Sequence, residues 1–187
     1  MTLRRRLSKK QRERKAKDNL STKLKNSLLM RVAVLTISDS VAKGEREDRS
    51  GPAVVAACRG LGWEVTAALQ ISDDPAGVRQ QLRELADSGR VDVLLTTGGT
   101  GIGPRDNTPE ATQAVADRIV PGISEEMRRK GLEHTPTAVL SRGTAAVRHK
   151  TLIVNLPGSP KGAAESLDAV AHLLPHAVKV LHGARHD

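Results

Sequence analysis

Residues 91–110 constrain this chain more than any other stretch. An apolar run from Val91 to Leu95 passes into Thr96-Thr97-Gly98-Gly99-Thr100-Gly101-Ile102-Gly103-Pro104-Arg105-Asp106-Asn107, and the segment lands on Thr108-Pro109-Glu110. The apolar run reads as a buried strand, and Thr108 followed by proline reads as a helix N-cap with Pro109 at the first helical position. Strand, glycine loop and helix together make a phosphate-sized cradle. Glycines let backbone N–H groups approach a ligand closely, threonines add hydroxyls, and the helix N-terminus adds unpaired N–H groups and a positive dipole end. Arg105 and Asp106 stand at the lip, one suited to an anion and the other to a cation; the bland alternative is a Gly-rich turn with an exposed ion pair. A P-loop is excluded, because Pro104 and Arg105 follow the glycines where Gly-Lys-Ser/Thr is required. The dinucleotide fingerprint fails too: counted from Gly99 its third glycine falls on Pro104, and from Gly101 on Asp106.

Thr-Thr-Gly-Gly-Thr-Gly at 96–101, Pro-Arg-Asp at 104–106 and Thr-Pro-Glu-Ala at 108–111 together resemble the signature loop of the MoaB/Mog family. That family is the molybdopterin-binding domain of molybdopterin adenylyltransferases.

Charge points elsewhere until it is divided along the chain. The formal net charge is +9 over 187 residues, yet residues 1–29 alone hold eleven Lys and Arg against Glu13 and Asp18, and the nineteen basic and nineteen acidic residues that follow cancel. The excess belongs to an N-terminal extension with too few apolar residues to bury, expected to be disordered or marginally helical. Met30 directly precedes the first strand, so translation starting there would give the body alone. The body has no Phe or Tyr and only Trp63, so it lacks the aromatic platforms on which single-strand binders stack bases; nucleic acid is not the expected partner of the folded body. No apolar window is long enough to span a membrane. The single cysteine, Cys58, sits in an apolar helical pattern and reads as a buried small hydrophobe, which fits a reducing cytoplasm.

Residues 31–37 read as a buried strand ending in Ser38-Asp39-Ser40. Polar residues at such a carboxyl end either contact ligand or cap the next turn. Residues 41–49 read as a surface loop, and Pro52 opens a helix to Leu61. A second strand is expected over 63–71. Asp73-Asp74-Pro75 then begins a helix that turns Val78, Leu82 and Leu85 inward; the adjacent acids could suggest a metal site, but serving as cap and dipole partners explains them more cheaply. Further helices are expected over 107–120 and 123–131. A short strand over 137–140 feeds Ser141-Arg142-Gly143, and a hairpin joins 145–148 to 151–156 through His149-Lys150. Asn155-Leu156-Pro157-Gly158-Ser159-Pro160-Lys161-Gly162 is either a second anion cradle, with Lys161 as a point charge, or a Pro/Gly turn. The C-terminal helix starts at Ala163 and kinks at Pro175. That proline spoils the i, i+4 metal-ligand spacing of His172 and His176, which also lack a third ligand nearby in sequence. The alternation predicts one α/β domain over 30–187. It has three layers, α/β/α, around a mostly parallel sheet with one antiparallel strand.

The ligand-facing segments are Ser38-Asp39, Asp48-Arg49-Ser50-Gly51, residues 97–106, residues 155–161 and Ser141-Arg142. Together they describe a polyanion site, with no Gly-x-Ser-x-Gly elbow, catalytic cysteine or histidine beside a loop carboxylate. Transfer between phosphates would need none: a phosphate monoester, with a second pKa near about 6, is largely deprotonated at neutral pH and attacks without a protein base. The resemblance spans about residues 31–183. It implies adenylylation of molybdopterin by ATP with Mg²⁺ in a cytoplasmic homotrimer, with the molybdate-inserting enzyme of the pathway as a further partner. It implies Asp48 and Asp106 as the catalytic and metal-holding carboxylates, although Asp48 on its own reads as a first-turn dipole residue. It implies molybdopterin and phosphate contacts at Thr97, Gly98, Gly99, Thr100, Gly101, Arg105, Ser141, Arg142, Asn155, Pro157, Gly158, Ser159 and Lys161, and nucleotide contacts at Ser38, Asp39, Ser50 and Gly51. Asn107 stands where valine is commoner in the family. The alternative is a molybdopterin-binding protein of the same fold without efficient adenylylation.

Overall fold

The computed structural model describes residues 29–184; the expected extension, apart from Leu29, lies outside the described residues, as does His186. Three parallel strands come first in the chain: β1 (Arg31–Ile37), β2 (Glu64–Ile71) and β3 (Val93–Thr97). Beyond them come β4 (Arg118–Ile119), β5 (Ala145–Arg148) and β6 (Thr151–Leu156). The sheet order is β2-β1-β3-β6-β5-β4, and β5 runs antiparallel to both its neighbours while β6 pairs in parallel with β3. The predicted hairpin is present, with His149 at φ 51° in its turn.

Every residue of β1 after Arg31 is buried, and so are all of β3 and β6. Alternation then divides the sheet into two faces. Val32, Val34, Val93, Leu95, Leu152 and Val154 meet α2 (Ser50–Gly60), α5 (Pro121–Gly131) and α6 (Pro160–Ala171) on one side. Ala33, Leu35, Ile37, Leu94 and Ile153 meet α3 (Pro75–Asp87) and α4 (Thr108–Val115) on the other. The three-layer arrangement therefore follows from runs that are mostly apolar and buried on both faces. Cys58 is fully buried within α2, and burial pushes its thiol up to about 11. Among the described residues no helix is long and apolar enough to cross a membrane.

Several boundaries depart from expectation. Ser38 caps a short helix, α1 (Asp39–Ala42), where a loop was expected to begin. The helix predicted over 107–120 stops at Val115, because Asp117 and Val120 give their N–H groups to Val147 and Ala145 and so create β4. The predicted strand over 137–140 is a 3-10 helix, Pro136–Leu140, that starts on proline and is capped by Thr135; Val139 and Leu140 are more than half exposed and have no strand to pair with. The C-terminal helix begins at Pro160, capped by Ser159, and is broken rather than kinked. Pro175 lies in the first turn of α7 (Leu174–Leu181), where its missing N–H is harmless. His172 caps α6 and His176 lies in α7, so they do not share a helix face.

The chain turns away from β1 toward β2 on one side and β3 on the other. In an open α/β sheet the crevice outside the carboxyl ends at such a switch point is where ligands bind. Residues 38–39 and 98–107 leave the sheet there.

Candidate functional site

The central loop is held by its own glycines and by its neighbours. Gly98 has φ 104° and Gly99 φ 62°. A Cβ on Gly98 would lie 2.2 Å from the Ile37 carbonyl oxygen, and one on Gly99 would lie 2.3 Å from Thr108 Oγ1. Both positions are therefore closed to any side chain, by conformation and by space. Thr97 is wholly buried and donates from Oγ1 to the Pro157 carbonyl at 2.7 Å, joining this loop to the 157–162 turn. Thr108 donates from Oγ1 to the Gly98 carbonyl at 3.0 Å, so its hydroxyl serves the loop, and Asn107 takes the capping position without a side-chain cap bond. At the lip, the Gly103 N–H donates to Asp106 Oδ2 at 2.8 Å and the Asp106 N–H donates to the Gly103 carbonyl at 3.0 Å.

A carboxylate cluster faces this lip. Asp39 N–H donates to Asp73 Oδ2 at 2.8 Å, and Asp73 N–H returns the bond to Asp39 Oδ1 at 3.0 Å. Arg105 pairs with Asp39 at 2.5 Å. Asn107 donates from Nδ2 to the carbonyls of Asp73 and Arg105, at 2.9 and 3.1 Å. The environments push the two acids apart. The Asp73 amide holds Asp39 below the usual carboxylate range; burial opposes it, and the Arg105 guanidinium adds to the lowering. Burial raises Asp73; the Asp39 amide partly offsets this, while the negative charges of Asp39 and Asp106 add to it.

Two clefts open beside the loop. The first, of about 700 Å³, is lined by Ser38, Ser50, Asp73, Gly98, Gly99 and Asp106, with Arg46 and Arg49 at its edge. The second, of about 430 Å³, is lined by Thr100, Gly101, Ile102, Met127, Arg128, Leu140 and Ser141. Gly158 and Ser159 line both. A Cβ on Gly158 would come within 3.3 Å of the Gly98 Cα, so the two glycine turns touch where the clefts meet.

Asp48 does not join this arrangement. It lines a separate hollow with Gly51, Leu69 and Gln70. Its Oδ1 accepts from Gly51 N–H at 2.9 Å and Ser50 Oγ at 3.3 Å, and its Oδ2 from Thr36 Oγ1 at 2.7 Å and Gln70 at 3.3 Å. It anchors the start of α2, and Gly51 is required beneath it, since a Cβ there would lie 2.4 Å from Asp48 Oδ2. Asp73 and Glu47 share the first cleft with Asp106, Glu47 paired with Arg49, and sequence reasoning passed over Asp73 as a cap. The capping is done by Asp74, whose Oδ2 accepts from Gly77 N–H at 2.7 Å.

Other expected contacts are placed differently too. Asn155 lies almost wholly buried in the floor of the second cleft, donating to Thr96 and Thr112 and accepting from Thr144 N–H. Arg142 directs its guanidinium into the loop's backbone. Lys161 is 82% exposed and lies 3.7 Å from Glu165. Arg128 was missed: its Nη1 donates to the Ser141 and Gly143 carbonyls at 3.3 and 3.2 Å, and no local pattern marks it.

Neither cleft is lined by histidine or cysteine. Among the described residues no three His, Cys, Asp or Glu side chains form a ready metal cage. Asp73 and Asp106 do suit Mg²⁺, which takes one or two protein carboxylates and completes its shell with water and substrate phosphates. The raised Asp73, crowded by two other acids, is the kind of carboxylate that a bound cation would relieve.

Residues 33–176 match a family model described as "Probable molybdopterin binding domain". The chain belongs to this family. Within it, a molybdopterin adenylyltransferase of Helicobacter pylori is 39% identical over 157 residues, covering 81% of this chain and 88% of that protein. One from Escherichia coli is 42% identical over 144 residues, covering 75% and 73%. The crystal structure of the molybdopterin biosynthesis enzyme MoaB from Thermus thermophilus has 49% identity and a TM-score of 0.79, over 85% of this chain and all of that one. The likeness extends through both clefts of this molybdopterin-binding domain.

Proposed function

We propose that this chain is a molybdopterin adenylyltransferase, transferring AMP from ATP to the terminal phosphate of molybdopterin with Mg²⁺. The observation that carries this reading is the pair of clefts joined at Gly158 and Ser159. One is carboxylate-bearing and edged by arginines, the other is rich in apolar lining, and two substrates held in them meet over the Gly98-Gly99 turn. The names of the relatives supply the substrates.

An oxygen of the pterin's phosphate attacks the α-phosphorus of ATP, a new P–O bond forms, the bond between the α-phosphorus and its bridging oxygen breaks, and pyrophosphate leaves. The nucleophile is already ionised near neutral pH, so no protein base is required. Asp73 and Asp106 would hold Mg²⁺, which neutralises phosphate charge when bound. The loop's N–H groups and the N-terminus of α6 orient the phosphates. Arg105, with 64% of its side chain exposed, exchanges Asp39 for a phosphate. The exposed Leu132, Val139 and Leu140 suit the contact of a homotrimer. A cytoplasmic setting, with the product passed to the molybdate-inserting enzyme, completes the reading.

The test is mass spectrometry of purified protein incubated with molybdopterin and ATP, with and without Mg²⁺. Adenylylated pterin should form only with Mg²⁺. Its rate should fall about 10²–10³-fold in Asp73→Asn and Asp106→Asn, and Asp48→Asn should keep most of it. Tight pterin binding without adduct would leave a binding protein and end the transferase reading.

A further inference from the structure

The loop that carries Asp106 is held by polar contacts rather than by packing. Residues 102–105 are exposed, and Ile102, the one large apolar side chain among them, is 72% exposed. No burial of apolar surface therefore fixes the loop against the body. Its internal bonds, between Gly103 and Asp106, close the turn on itself without tying it to anything else.

Arg105 reaches out to Asp39 and Asn107 bridges the carbonyls of Arg105 and Asp73 on one side of the turn; a single further side chain ties its two ends from the other. Arg142 donates from Nε to the Gly101 carbonyl at 2.6 Å and from Nη2 to the Asp106 carbonyl at 2.6 Å, gripping both ends of the exposed turn at once. Its Nη1 pairs with the Glu110 carboxylate in the first turn of α4. Its backbone N–H donates to the Thr100 carbonyl at 2.9 Å. A planar guanidinium presents N–H groups in several fixed directions, which lets one side chain meet three acceptors on two elements. A lysine would reach one of them. The segment bearing Arg142 is itself fixed from behind, since Arg128 on α5 donates to the carbonyls on either side of it.

We propose that Arg142 is a positioning residue that sets the place of the Asp106 carboxylate through the main chain of the 101–106 turn, and is not a ligand of substrate phosphate. The proposal deepens the transferase reading and rests on it for its kinetic consequence. Asp106 receives its orientation twice over: Gly103 N–H holds one carboxylate oxygen, and Arg142 holds the carbonyl of the same residue. Loosening the second lets the turn drift, and a displacement of about 1 Å at a reacting site costs on the order of 10²-fold in rate.

Two measurements on the full-length protein test this. Hydrogen exchange of the peptide spanning 101–106 is read without any ligand, and should speed up at least about tenfold in Arg142→Gln while peptides from β1, β3 and β6 keep their wild-type exchange. Steady-state kinetics should then show a fall of about 100-fold in kcat, a higher half-saturating Mg²⁺ concentration, and a KM for molybdopterin within about threefold of wild type. Arg142→Lys should recover part of kcat. Glu110→Gln, which removes one anchor only, should give a smaller change of the same pattern and covers the case in which Arg142→Gln fails to fold. Unchanged exchange with a raised pterin KM would overturn the proposal and return Arg142 to the phosphate. Faster exchange in Arg142→Gln, with a wild type that forms no adduct, would keep the tie and remove the transferase reading instead.

Discussion

Replacing Gly98 by alanine tests the central claim about the loop, that its backbone path is fixed by space as well as by conformation. The residue lies at φ 104°, and the added Cβ would sit 2.2 Å from the carbonyl oxygen of Ile37, itself fully buried in β1. Ordinary contact begins near 3.4 Å, so the loop must retreat by more than about 1 Å, because the strand cannot. Retreat strains the Gly98 N–H bond to the Leu156 carbonyl, already 3.3 Å, and the Thr108 hydroxyl bond to the Gly98 carbonyl. Strain of about 1–2 kcal/mol for the backbone and about 1 kcal/mol for each weakened bond give a loss of about 3–4 kcal/mol. At about 2–4 °C per kcal/mol for a chain of this size, the melting temperature should fall by about 10 °C. Gly122, in the first turn of α5, is the control: nothing lies within 4 Å of its added Cβ, and Gly122→Ala should leave the melting temperature unchanged or raise it by the equivalent of up to about 1 kcal/mol. Thermal unfolding followed by circular dichroism compares the two. A Gly98→Ala protein melting within about 2 °C of wild type would refute the packing argument.

The other expectations concern residues buried under the second cleft or away from both clefts. Asn155→Ala strands the Thr144 N–H and leaves Thr96 and Thr112 without their shared donor, so urea unfolding should show a loss of about 2–4 kcal/mol, while pterin KM of the folded fraction stays at wild type; a raised KM with unchanged stability would make Asn155 a ligand after all. Asp92 is driven up by burial, but the side chain and backbone N–H of Arg31 outweigh this and hold it below its ordinary range. A depressed carboxylate stabilises above its unfolded pKa of about 3.9 and loses that contribution as pH falls through the folded value. Asp92→Asn should therefore cost about 1–2 kcal/mol at pH 7, discounted for the partly exposed Arg31, and the difference from wild type should shrink between pH 4 and about 2 in urea melts. A gap that widens with acid would reverse the assignment.

The parts of the fold that were legible are those where one residue's burial is decided by its neighbours in sequence. Val32 to Ile37 and Thr151 to Leu156 are apolar at nearly every position, and only a strand covered on both faces accommodates that. Arg118 and Ile119 carry no such mark. They form a strand because the hairpin edge of β5 offers carbonyls at Val147 and Ala145, a partner some thirty residues away. Thr137 to Leu140 has strand-forming residues, but pairing needs a neighbour as well as propensity, and with Pro136 ahead the segment closes on itself as a 3-10 turn.

The site divides along the same line. Strand ends identified Ser38, Asp39 and the glycine turns, because the end of a buried parallel strand is a position in space as well as in sequence. Asp73 satisfies the same rule, lying two residues beyond Ile71 at the end of β2. It was overlooked because Asp74 beside it explains the pair, and nothing in two adjacent acids says which turns back to cap the helix and which faces the cleft. Asp48 fails for the converse reason. Its four hydrogen bonds come from Thr36, Ser50, Gly51 and Gln70, three separate segments whose convergence only the folded sheet reveals. Arginine is the least legible of all, since Arg105 and Arg142 both stand in motifs suited to phosphate, yet one is held by a carboxylate and the other by two carbonyls of the loop and the Glu110 carboxylate of α4. An exposed guanidinium paired with the half-buried Asp39 can exchange it for a stronger anion at small cost, whereas one that fastens two backbone carbonyls can leave them only by releasing the turn that carries Asp106. The same side-chain chemistry thus gives one residue that can move to the substrate and one that keeps the site in shape.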